Sequence, residues 1–112
     1  MRIAAVVGDL LLFSRIDAAA ASAGAMLERV DAPDQLPASN DVDLVLVDWS
    51  ARDDGWAEAL SRVQARGEAR VILFGQHTDL VAHAAARSAG LGPMWARSRL
   101  VKELPTLVTE RR

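Results

Sequence analysis

Four short stretches of this chain hold residue types that do chemistry: Gly8-Asp9, Asp48-Trp49-Ser50, Gly75-Gln76-His77-Thr78-Asp79 and Arg97-Ser98. The third is the most varied, and an imidazole near a carboxylate can be oriented for acid–base work. Metal or catalytic use of His77 asks for a third partner, and the one other histidine, His83, lies six residues on. His83 falls mid-helix among alanines, so loop and capping duty is the plainer reading of His77 and Asp79. No G-x-S-x-G supports a serine nucleophile. Neither G-x-G-x-x-G nor a Walker sequence supports dinucleotide or nucleoside triphosphate binding. Flavin binding is disfavoured by the short acidic loop Gly8-Asp9-Leu10, where a phosphate wants free backbone donors. The lack of cysteine removes thiolate metal sites, cysteine nucleophiles and disulfides together.

Composition narrows the field further. A chain of 112 residues fits a single domain, 1–112, and leaves no room for two. With 51% hydrophobic and 25% charged residues it belongs to none of the disordered classes. The net charge of -2, with no basic helix or helix-turn-helix, argues against a nucleic-acid partner. Arg2, Asp9 and Arg15 interrupt the N-terminal apolar run, so neither a membrane span nor a signal peptide is expected. A cytoplasmic protein with no membrane partner is the expectation. Charge is uneven along the chain: residues 1–74 carry 7 basic and 12 acidic side chains, residues 75–112 carry 6 and 3.

The elements that position these residues follow from apolar runs and stop signals. Ile3–Val7, Ala25–Val30, Leu44–Val47, Val71–Phe74 and Pro93–Ala96 read as strands, the second at a sheet edge because it carries Glu28 and Arg29. Helices are expected over Leu10–Ala23, Asp54–Arg66 and Asp79–Ser88, ended by Gly24, Gly67 and Gly90. Ser98 caps a last helix, which Pro105 should kink or restart. Pro33 and Pro37 allow at most a short helix in Asp31–Asn40. Alternating β and α units imply right-handed crossovers and a parallel sheet covered on both faces. In such sheets the functional crevice lies beyond the carboxyl ends of the strands. Gly8 and Asp9, Asp48 to Ser50, Gly75 to His77, and Arg97 with Ser98 fall there. Asp9 and Asp48 also suit helix-capping or turn duty, and Gly8 and Gly75 suit tight βα turns.

The chain resembles a response-regulator receiver domain of the chemotaxis-protein type along nearly its whole length. Val6-Val7-Gly8-Asp9, Leu44-Val45-Leu46-Val47-Asp48, Asp54-Gly55 and Ala89-Gly90-Leu91-Gly92 carry the resemblance. It implies a flavodoxin-like three-layer α/β sandwich with a five-stranded parallel sheet in the order 2-1-3-4-5. It also implies that Asp48 holds the phosphoacceptor position, Asp9 the second place of an acidic pair, and Arg97 the place of a lysine. Gly8 stands where the first acidic residue belongs, Gly75 where a serine or threonine belongs, and Met94 where an aromatic switch residue belongs. Ser98 replaces the proline that follows the lysine. Asp9, Asp48 and the Ser50 carbonyl remain as ligands for a weak Mg2+ site, the only cofactor the resemblance suggests. A magnesium ion wants near-octahedral oxygen coordination, and phosphoryl transfer to a carboxylate needs such a cation. Arg97 keeps the lysine's charge but is bulkier and differently aimed, so it can salt-bridge Asp48 and fill the pocket. Thr78 and Ser50 offer hydroxyls, neither at the matching position.

These departures favour a degenerate receiver: not an enzyme, but a regulatory module that docks to a protein partner or to itself independently of phosphorylation. A competent receiver phosphorylated on Asp48, and a small-ligand or enzymatic domain using His77 and Asp79, are the alternatives. Receiver-like proteins dock through the face formed by the fourth helix, fifth strand and fifth helix. Here that face would carry His83, Arg87, Trp95, Arg99 and Lys102, within the basic third of the chain. Of the other tryptophans, Trp56 is expected in the core and Trp49 at the mouth of the pocket.

Overall fold

The computed structural model describes residues 1–36, 42–67 and 69–109. Five strands form one sheet: β1 (Arg2–Val6), β2 (Met26–Val30), β3 (Leu44–Asp48), β4 (Arg70–Gly75) and β5 (Trp95–Ala96). Every neighbouring pair is parallel and the order is β2-β1-β3-β4-β5. This is the expected flavodoxin-like arrangement, with the charged second strand at an edge. The helices are α1 (Leu10–Ser22), α2 (Trp56–Ala65), α3 (Leu80–Ser88) and α4 (Arg97–Leu107).

The core follows from strand alternation. Leu44 and Leu46 of β3 join Ile3, Ala5, Ile72 and Phe74 in a cluster with Ile16 of α1 and Leu100 of α4. Val45 and Val47 point the other way and join Leu73, Leu60 of α2, and Ala82 and Ala86 of α3. Two helices therefore cover each face of the sheet. All five residues of β3 are buried, which explains an apolar run without polar alternation. The same run delivers Asp48 to the sheet's carboxyl end at the centre of the fold.

In the crossover between β2 and β3 the described residues do hold a short helix, the 3₁₀ turn Pro33–Gln35, as the prolines allow. Proline at the first position fits that turn, because the N–H it lacks would have no partner there. Pro37 lies outside the described residues. Several elements differ from expectation. The last strand shrinks to Trp95–Ala96, because only Phe74 and Gly75 of β4 stand opposite it. Ser98 is not a cap: α4 starts at Arg97, after Ala96, with no side-chain cap hydrogen bond. Nor does Pro105 interrupt α4. It lies in the last turn, where losing one backbone donor leaves the helix closed by Val108 N–H on the Leu104 carbonyl at 3.1 Å. Gly24 and Gly90 follow α1 and α3 with φ of 70° each, as stop signals should.

Leu46, wholly buried at the centre of the sheet, tests this packing. Leu46→Ala should cost about 2–5 kcal/mol in urea unfolding, through lost burial and the cavity left behind.

Candidate functional site

Three side chains meet at the carboxyl ends of β1, β3 and β5. Asp9 is the N-cap of α1, Asp48 ends β3, and Arg97 opens α4. Arg97 Nη1 donates to Asp9 Oδ2 at 3.0 Å, and Nη2 donates to Asp48 Oδ2 at 3.3 Å. One guanidinium thus spans two carboxylates from separate strands. Asp9 Oδ1 is also engaged, accepting the Leu11 and Leu12 amides at 3.0 and 3.2 Å. The capping role read for Asp9 and its membership of the site are both real, one for each oxygen.

The three differ in exposure. The side chains of Asp9 and Arg97 are 37% and 42% exposed, that of Asp48 only 10%. A buried carboxylate without compensation is costly, and the Arg97 cation supplies compensation at one oxygen only. Asp48 Oδ1 is buried with no hydrogen-bond partner among the described residues. The Leu12 amide first, then the Arg97 guanidinium, hold the Asp9 carboxyl below its ordinary 3.8.

Of the two glycines that flank the site, the neighbouring loops explain one, Gly75. Neither Gly8 nor Gly75 has a positive φ, so neither is required by turn geometry. A side chain at Gly8 would meet nothing within 4 Å. Gly75 is different: a Cβ there would overlap Ser50 Oγ and lie 2.9 Å from Met94 Sδ. Ser50 Oγ accepts the Gln76 amide at 3.2 Å, so a hydroxyl does sit beside β4, offered by another loop. Sequence spacing gave no signal for that contact, because it joins residues 26 apart.

Trp49 is not at the pocket mouth. It is 1% exposed, and its Nε1 donates to the Ala82 carbonyl at 2.9 Å. Trp56, expected in the core, is half-buried and lines a groove of about 580 Å³ between α2 and the Pro33 turn. That groove involves none of Asp9, Asp48 and Arg97.

On the face of α3, β5 and α4, Arg87, Arg99 and Lys102 are exposed and His83 is half-buried. Trp95 belongs to the core at 9% exposure, with Arg99 stacked 3.8 Å from its ring centroid. Arg99 covers that aromatic while its Nε donates to Glu103 Oε2 at 3.3 Å, so its charge is paired within α4. His77 and Asp79 form no acid–base pair: Asp79 Oδ1 accepts the Ala82 amide at 3.0 Å, and the His83 ring meets the His77 carbonyl at 3.1 Å.

A divalent cation does not fit the residues with Arg97 in this position. Both Oδ2 atoms are on the guanidinium, Asp9 Oδ1 is on two amides and Gly8 offers no carboxylate, which leaves a cation Asp48 Oδ1 alone of the pair's four oxygens. Among the described residues no group of three or more histidine, aspartate or glutamate side chains is placed to hold a metal. No helix of the described residues is long and apolar enough to cross a membrane.

Solved structures place this architecture. The chain is similar to the receiver domain of Francisella response regulator 1452, with a TM-score of 0.67, 14% identity, and coverage of 96% of this chain and 92% of that one. A CheY-like response regulator receiver domain protein from Methanospirillum hungatei JF-1 gives the same TM-score and coverages at 16% identity. The fold is that of a receiver domain. A response regulator protein from Burkholderia multivorans matches at 0.67 and 23% identity, covering 99% of this chain and 97% of its own. At these identities the receiver likeness is one of fold. No family model and no curated protein matches the sequence.

The lowered Asp9 value has a pH consequence. A carboxyl depressed in the folded state adds stability that is present above its ordinary 3.8 and is lost as pH falls through the folded value. Wild type should therefore exceed Asp9→Asn in urea midpoint at neutral pH. The gap should close in acid, below that ordinary value, and a gap independent of pH would contradict the assignment.

Proposed function

We propose that this receiver-fold protein is a phosphorylation-independent regulatory module of signal transduction, acting by docking rather than by chemistry. The observation that carries this reading is the Arg97 bridge, which engages both carboxylates with a charge the chain itself supplies. A receiver that answers to phosphorylation needs its acidic pocket open to a cation and a phosphoryl donor. Here one guanidinium already offsets half of the pair's charge and engages an oxygen of each carboxylate, and a planar fork held by two carboxylates is not easily displaced. The exposed charges Arg87 and Lys102 on the face of α3, β5 and α4, beside Arg99 paired to Glu103, suit a partner, or a second copy, presenting acidic groups.

One observation favours a second reading, a competent receiver. Asp48 Oδ1 has no hydrogen-bond partner among the described residues. A carboxylate oxygen left unpaired is the one that would attack phosphorus, forming an acyl phosphate as the donor's leaving group departs.

Acetyl phosphate with magnesium separates the two readings. Intact-mass spectrometry should show no phosphoryl adduct on the wild-type chain. An adduct that disappears in Asp48→Asn would overturn the proposal and establish the competent receiver.

A further inference from the structure

The 3₁₀ turn Trp49–Ala51 directly follows Asp48, and consecutive residues fasten it to two different elements. Trp49 Nε1 donates to the Ala82 carbonyl at 2.9 Å, inside the core. Ser50 Oγ accepts the Gln76 amide at 3.2 Å, on the loop between β4 and α3. Ala82 sits in the first turn of α3, and its own amide is taken by Asp79 Oδ1 at 3.0 Å. That first turn is thus held from its loop side by Asp79 and from the core side by Trp49. It presents Leu80 and Val81, which are 76% and 71% exposed.

One bond between the turn and α3 would leave the turn free to swing about it. Two bonds from adjacent residues to separate points remove that freedom. Trp49 adds a rigid, fully buried ring to the first of them. Gly75 makes the second bond sterically feasible, since a Cβ there would displace the Ser50 hydroxyl. Upstream, the turn is covalently continuous with Asp48, which is tied to Arg97.

We propose that Trp49–Ala51 is a two-point clamp linking the Asp9–Arg97–Asp48 site to the first turn of α3. A change at the ion pair then reaches the exposed Leu80–Val81 surface through Trp49 and Ser50. The clamp does not depend on whether Asp48 is ever phosphorylated. Continuity of contacts alone does not establish coupling, so the decisive test is a cycle of variants.

Amide spectra and hydrogen exchange on the whole chain supply that cycle. Ser50→Ala should speed exchange of the Gln76 amide about five- to tenfold, the loss of one ordinary hydrogen bond, without touching the α1 amides. Arg97→Gln should shift the Leu80 and Val81 amide resonances, and those shifts should shrink in the Ser50→Ala background. Equal shifts in both backgrounds, or an unchanged Gln76 amide, would overturn the clamp. Urea midpoints give an independent reading. Gly75→Ala should destabilise the wild-type chain and be better tolerated in the Ser50→Gly background, whereas Gly8→Ala should be insensitive to that background. Equal losses for Gly75→Ala in both backgrounds would also refute it.

Discussion

Two carboxylates brought to neighbouring strand ends repel each other, and one of them is nearly out of water. The Arg97 guanidinium resolves both problems by placing one nitrogen against each. The rest of the site is arranged around that contact. Asp9 is fixed by capping α1, Asp48 by the buried strand that carries it, and Arg97 by opening α4 without a side-chain cap. The starts of α1 and α4 and the end of β3 are therefore joined through a single cation. A lysine's compact ammonium could not reproduce two divergent donors in one plane, so the contact depends on arginine's fork.

The contact has consequences on both faces of the sheet. On the side of α1 and α4 it joins the starts of the two helices whose Leu12, Ile16, Leu100 and Leu104 pack in one cluster. On the side of α2 and α3 it fixes Asp48, after which the chain turns at once into Trp49, a core residue of the opposite cluster. The fold thus offers a short route between an electrostatic site and a helix whose first turn is apolar and exposed.

Much of this architecture was legible in the sequence, for identifiable reasons. Unbroken apolar runs such as Leu44–Val47 mark strands covered on both faces, and Gly24, Gly67 and Gly90 mark helix ends. The sheet order came from the resemblance to receiver domains, since parallel strands alone allow several orders, while the carboxyl-end placement of Asp9, Asp48 and Arg97 follows once those strands are parallel. Side-chain direction was harder to read. Trp49 follows a site residue and was expected beside it, yet a pleated strand sends neighbours to opposite sides, and Trp49 enters the core. Trp95 was expected on a docking face, where Arg99 covers it instead. Gly75 reads as a turn residue until the Ser50 hydroxyl is seen in the space its side chain would need. Such contacts join segments distant in sequence, and no local pattern announces them.

The most direct test of Arg97 as the resident cation is thermal unfolding of wild type and Arg97→Met, each with and without magnesium. Removing the guanidinium should lower the melting temperature by exposing Asp9 and Asp48 to each other's charge. Magnesium should then restore part of the loss in the variant and leave the wild type unchanged. Equal stabilisation of both proteins by magnesium, or an Arg97→Met melt matching the wild type, would contradict the account.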